Sequence, residues 1–126
     1  MKLNKQRQIK RGDIYFVQND SSQSKRPHEQ ADDRPAIIIQ NDVGNLHSPT
    51  VIVAYLTAKS KNRMPTHVHT CATHKPSIIM FEQLETISKE RLINFICSLS
   101  EDEMKEVDKA LAISVGLSKP RRRKNA

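Results

Sequence analysis

The chain has no tryptophan, three phenylalanines, two tyrosines and two cysteines in 126 residues. With so few aromatic rings the core has to be built from Ile, Val and Leu, which suits a small β-rich barrel. Cys71 and Cys97 lie far apart and in no metal-ligand spacing, so a disulfide framework is not expected and the thiols should be reduced. No stretch approaches the roughly 18 uninterrupted apolar residues that cross a membrane. Residues 1–13 are basic and polar without the apolar middle of a signal peptide, so a cytoplasmic location with no membrane partner is expected. A Walker loop, a dinucleotide fingerprint, a Gly-x-Ser-x-Gly elbow and a two-carboxylate metal cluster are all missing. No cofactor and no metal are expected on those grounds.

What is present begins with charge. The formal net charge is +7, a value that suggests nucleic acid until its location is examined. Lys2, Lys5, Arg7, Lys10 and Arg11 lie at one end, Lys119, Arg121, Arg122, Arg123 and Lys124 at the other, and neither end has an acid. The body between holds 11 basic against 14 acidic residues. Its basic half, Lys25 to Lys75, precedes a segment from Glu82 to Asp108 that is rich in acids. Length allows one modest core, so the chain divides into a basic arm at 1–11, one domain at 12–117 and a basic tail at 118–126. Such arms attract phosphate without sequence preference, or serve only as solubilising tails.

Apolar alternation and turn residues predict five strands: 12–18, 36–40, 51–57, 66–70 and 77–84. Residues 19–33 form a long polar loop, a candidate lid beside Arg34. Residues 41–49 read as a turn containing Gly44. Ser88 is a predicted cap of a short helix running through about Cys97, and Ser100-Glu-Asp-Glu103 is a capping box that opens a longer one. Met104, Val107, Leu111 and Val115 then recur at helical spacing, with Gly116 as the stop. The fold class is therefore mostly β with α, a small barrel with a C-terminal helix.

Two groups of residues carry possible chemistry. Pro35 pushes Arg34 out of the helical region and opens an apolar strand, while Thr57 closes the next. Antiparallel pairing brings that start and that end to one edge. A guanidinium suits a phosphodiester and the added charge of its five-coordinate transition state, and a Thr hydroxyl orients a phosphate oxygen. The second group is Thr66-His-Val-His-Thr-Cys-Ala-Thr-His74. On a strand His67, His69 and Cys71 share a face with His74 close behind, but ligands two residues apart lie roughly 7 Å from each other, too far for one zinc ion without a bend. His67 is better suited to carrying a proton. Without a metal cluster, phosphodiester chemistry is open to RNA, whose 2′-hydroxyl attacks the neighbouring phosphate.

Assembled in order, Arg11-Gly-Asp-Ile-Tyr-Phe16, Arg34-Pro-Ala-Ile-Ile-Ile-Gln-Asn-Asp-Val-Gly-Asn45, Ser48-Pro-Thr-Val-Ile-Val-Ala54, Leu56-Thr57, Pro65-Thr-His-Val68, Glu82-Gln83, Thr86-Ile87 and the closing run from Val107 to Leu117 resemble the MazF/PemK/Kid-type toxins. That resemblance implies an SH3-like barrel and a homodimer, acting as a metal-independent, sequence-specific endoribonuclease. Single-stranded RNA would be cut to a 2′,3′-cyclic phosphate and a 5′-hydroxyl, and a cognate antitoxin protein would neutralise the activity. It implies Arg34 and Thr57 as catalytic residues and Glu29, Gln30, Asn41, Glu82 and Gln83 as RNA contacts. The general base is unassigned, with His67 and Glu29 as candidates. This chain departs from the family pattern at Ala31-Asp32, where the family has Gly-Gly, at Glu85, where it has a basic residue, and in a short Cys/His-rich segment from His67 to Ser77. Acids beside Arg34 leave open an alternative, a non-catalytic module of the same fold that binds RNA, antitoxin or DNA gyrase.

Overall fold

The computed structural model describes residues 7–18, 33–59 and 62–120. In chain order these form β1 (Asp13–Val17), β2 (Arg34–Ile38), α1 (Asp42–His47), β3 (Thr50–Thr57), β4 (His67–Thr70), β5 (Ser77–Ser88), a 3-10 turn (Lys89–Arg91), β6 (Leu92–Ser98) and α2 (Glu101–Ser114). The strands make one antiparallel sheet in the order β4-β5-β3-β2-β1-β6. β4 and β6 are its edges, so the predicted barrel is left open between them.

Both faces of the sheet are apolar, and they are covered differently. Ile14, Ile37, Ala54, Leu56, Ile79 and Phe81 point to one side, where Val107 and Ala110 of α2 complete the core. Tyr15, Ala36, Ile38, Val53, Tyr55 and Met80 point to the other, where no helix among the described residues lies and only Ile9 adds a partly buried side chain. Burial on this second face therefore comes from the curl of the sheet itself. The largest register shift is in β5: Ala54 pairs with Leu84 and Tyr55 with Met80, so one step along β3 spans four along β5. The extra residues, Phe81 to Gln83, kink the strand as a bulge does.

α2 is positioned as its sequence dictates. Ser100 accepts the Glu103 backbone N–H at 3.1 Å while Glu103 accepts from the Ser100 backbone at 3.1 Å. The same Glu103 accepts the Thr70 hydroxyl at 2.8 Å, which ties the helix start to β4, and Ser114 Oγ donates to the Phe81 carbonyl at the far end. Gly12 enters β1 at φ +96, and a Cβ there would stand 3.1 Å from Met104 Sδ. Only glycine lets α2 approach that closely without strain.

Two segments differ from the sequence reading. The predicted turn at 41–49 holds α1, because Asn41 caps it through Gly44 N–H at 2.8 Å, and Asn45 is buried and bonded to Gln40 and Asp42. Asn and Gly, read as turn formers, here build a short capped helix. The predicted helix from Ser88 to Cys97 is a single 3-10 turn followed by β6. Ser88 does cap, through Glu90 N–H at 3.2 Å, but pairing with β1 draws Leu92 onward into the sheet, a case of tertiary contacts overriding a local signal. A sixth strand results.

The inner end of the basic arm is built into the domain. Arg7 lies 3.4 Å over the Phe95 ring and pairs with Asp13 at 3.0 Å. Arg11 donates to the Ile39 carbonyl at 2.8 Å and pairs with Asp108 of α2 at 2.9 Å. Among the described residues no helix is long and apolar enough to cross a membrane.

Candidate active site

The register places Arg34 and Thr57. β2 and β3 pair Ala36 with Tyr55, Ile37 with Ala54 and Ile38 with Val53. Continued two residues along the same ladder, Arg34 comes opposite Thr57. Arg34 also pairs with Val17 across β1, and Thr57 with Ile78 across β5. Directly opposed residues share a face, so both side chains project from the self-covered face at the strand ends. Each is partly exposed. The guanidinium and the hydroxyl thus lie on the same face at neighbouring strand ends.

Arg34 rests on an aromatic ring, with its guanidinium carbon 4.6 Å from the centroid of Tyr55. Tyr55 is nearly buried and its hydroxyl donates to Glu85 Oε1 at 2.5 Å. The other Glu85 oxygen lies 3.9 Å from Arg91, whose Nε donates to the Gln18 carbonyl at 2.8 Å. Burial, then the hydrogen bond and charge of Glu85, push the Tyr55 phenol up to about 12, so it stays a neutral donor at physiological pH. Asp33 is exposed and, among the described residues, no acid pairs with Arg34. Thr57 Oγ1 accepts the Lys59 backbone N–H at 3.1 Å, which leaves its own proton for an acceptor such as a phosphate oxygen.

His67 faces the same side, since it pairs with Met80 and Met80 with Tyr55. Its side chain is 1% exposed, and Nε2 lies 2.9 Å from Glu82 Oε2. Glu82 Oε1 accepts the Thr66 hydroxyl at 2.8 Å. Burial alone would raise the Glu82 carboxyl, but the bonds from His67 and Thr66 outweigh it and hold it below the ordinary range. His67 Nδ1 is buried without a partner among the described residues. His69 pairs with Ile78, in the row that contains Thr57, while Cys71 is exposed and His74 sits in a turn at φ 74. Among the described residues no three His, Cys, Asp or Glu side chains converge as metal ligands.

Of the predicted RNA contacts, Glu82 and Gln83 are exposed at the β5 kink, and Asn41 is exposed with its side-chain oxygen occupied as the α1 cap. Glu29, Gln30, Ala31-Asp32 and most of the predicted lid lie outside the described residues. Sequence reasoning missed Tyr55 and the partner of Glu85. A bulky aromatic facing the same side as Arg34 was the available signal.

Residues 10–115 match the profile of the PemK-like, MazF-like toxins of type II toxin-antitoxin systems. The chain belongs to this family. Solved structures agree on the fold. An endoribonuclease from a Mycobacterial species superposes with a TM-score of 0.72 at 22% identity, covering 93% of this chain and all of that one. The Deinococcus radiodurans MazE-MazF structure (Form-II) gives a TM-score of 0.73 at 17% identity over 89% of this chain and 99% of its own. The Mycobacterium tuberculosis toxin MazF-mt6 gives 0.69 at 22% identity over 84% and 98%. The open six-stranded sheet with α2 is thus the MazF-type fold.

Proposed function

We propose that this MazF-family chain is an endoribonuclease that cuts single-stranded RNA at a site centred on Arg34 and Thr57. What supports the reading is that both side chains lie on one sheet face at neighbouring strand ends and are partly exposed, a planar cationic fork and a hydroxyl with a proton to donate. The RNA supplies its own nucleophile. Its 2′-oxygen attacks the adjacent phosphorus, the P–O2′ bond forms and the P–O5′ bond breaks. The 2′-proton passes to a base and the departing 5′-oxygen takes up a proton, giving a 2′,3′-cyclic phosphate and a 5′-hydroxyl. Arg34 neutralises the extra charge of the five-coordinate state and protonates or hydrogen-bonds the leaving oxygen, while Thr57 orients a phosphate oxygen. This chemistry requires no metal-activated water.

Glu29 remains a candidate base. His67 acts through Glu82 in this reading, because its ring is shut from solvent and Glu82 is the exposed member of the pair. Glu82 and Gln83 contact RNA beside the rim. The protein works as a homodimer, for which exposed Phe16, Val43, Leu46, Phe95 and Val115 supply apolar surface, and a cognate antitoxin covers the groove. Of the two acids beside Arg34 that favoured a non-catalytic module, Asp33 does not pair with it and Asp32 lies outside the described residues. Glu85 supports the ring beneath Arg34.

The test is incubation of the purified protein with a long single-stranded RNA in chelator, followed by sequencing of fragment ends. Discrete fragments ending in cyclic phosphate are expected, and Arg34→Ala should abolish them. Cutting at the wild-type rate by that variant would end the assignment.

A further inference from the structure

In the family pattern a basic residue stands where this chain has Glu85, and the structure shows where that acid goes. It accepts the Tyr55 hydroxyl at 2.5 Å and lies 3.9 Å from Arg91, which in turn holds the Gln18 carbonyl at 2.8 Å. Gln18 follows Val17, and Val17 pairs with Arg34. The contacts therefore run Arg34, Tyr55, Glu85, Arg91, Gln18 and back through β1 to Arg34, a belt around the self-covered core. We propose that Tyr55, fixed by Glu85, is a positioning residue that sets the orientation of the Arg34 guanidinium for phosphodiester cleavage.

The physical argument lies in how a guanidinium can be held. A carboxylate grips its N–H edge and consumes the donors that a phosphate needs. An aromatic ring attracts the face of the cation and leaves the donors in the guanidinium plane to be directed elsewhere. Such a ring is useful only if it cannot rotate away. Tyr55 is 8% exposed between Ala36 and Met80 across the ladder, and its hydroxyl is anchored. Glu85 thus bonds to the ring beneath the cation rather than to the cation's edge.

This inference rests on the endoribonuclease reading, but one of its tests does not. In the wild-type protein without RNA, the Arg34 Nε–Hε signal, assigned by its loss in Arg34→Lys, should be shifted upfield by the ring current. The shift should persist in Tyr55→Phe and vanish in Tyr55→Leu. An unshifted Arg34 signal overturns the proposal whether or not the protein cuts RNA. In cleavage assays on folded protein, Tyr55→Leu should lower kcat by about tenfold or more with KM within about twofold, since misplacing a catalytic group by a fraction of an ångström costs rate before binding. Tyr55→Phe and Glu85→Ala should each cost about threefold, and Glu85→Gln, which keeps an acceptor for the hydroxyl, should restore most of that loss. Wild-type kcat in Tyr55→Leu, or equal losses in Glu85→Ala and Glu85→Gln, would overturn it. If Tyr55→Leu does not fold, the wild-type shift and the Glu85 pair still decide. Absence of cutting by the wild type, with the upfield shift present, would sink the nuclease reading and leave the stacking geometry standing.

Discussion

Among the described residues two arginines lie over aromatic rings, and the acid near each goes to a different partner. At the corner where the chain enters β1, Arg7 stacks on Phe95 and also pairs with Asp13, whose other contacts are the Lys10 backbone and Ser98. At the opposite end of β1, Arg34 stacks on Tyr55, and the nearby acid, Glu85, takes the tyrosine hydroxyl instead. Phenylalanine has no hydroxyl to offer, so the acid at the first corner pairs with the cation and with Lys10 and Ser98 rather than with the ring. The first arrangement uses both the face and the edge of a guanidinium. The second holds one by its face and leaves its edge without an acid among the described residues.

The sharpest way to break the comparison is to remove each cation in turn. Arg34→Lys keeps the charge but loses the planar fork, and cleavage should fall by about 10²–10³-fold with little change in thermal midpoint. Arg7→Met should do the reverse. It leaves Asp13, 2% exposed, without its charged partner and should cost about 2 kcal/mol in denaturant unfolding, while cutting per folded molecule stays at the wild-type level. If Arg7→Met slows cutting as much as Arg34→Lys, the two corners are not separate in function.

A smaller effect separates the two faces of the sheet. Glu103, on the helix-covered face, is held below the ordinary carboxylate range by the Ser100 backbone N–H and then by Thr70, despite some burial. Its folded value lies below the unfolded one, so its contribution is present above about pH 4.5 and disappears as pH falls through the lowered value. Glu103→Gln should therefore cost about 1 kcal/mol near neutrality and flatten the acid limb of stability. Glu82 on the rim is lowered too, so Glu82→Gln should flatten the same limb. A limb as steep as wild type in both variants would place the acid sensitivity elsewhere.

The comparison also shows what a single sequence makes legible. The placement of Arg34 and Thr57 on one face could be read because Pro35 and the apolar runs fix strand ends, and antiparallel pairing then does the rest. Ser100 and Glu103 were readable because a capping box is local. α1 was hidden because Asn41, Gly44 and Asn45 carry the same residue types as a turn, and only the Asn45 bonds to Gln40 and Asp42 distinguish them. β6 was hidden because Ser88 does cap, but for one turn. The Tyr55–Glu85 contact was out of reach: the residues are 30 positions apart, and they face each other across a ladder whose register shifts by three residues between them. No periodicity announces such a kink.

The finest test uses the fact that the chain has only two tyrosines, one at each corner. Both phenols are raised in the folded protein, so neither ionises at its usual value near 10. Burial raises Tyr15 while a hydrogen bond from Arg7 pulls it back. Burial raises Tyr55, and Glu85 pushes it further, to about 12. A folded value above the unfolded one means that the contribution is complete below about pH 10 and is lost as pH rises toward about 12. Phenolate absorbance should then move in opposite directions in two variants. Glu85→Gln removes the charge that resists ionisation and should lower the Tyr55 titration, whereas Arg7→Met removes a cation that favours it and should raise that of Tyr15. Shifts of the same sign would mean that the two acids are not divided between cation and ring.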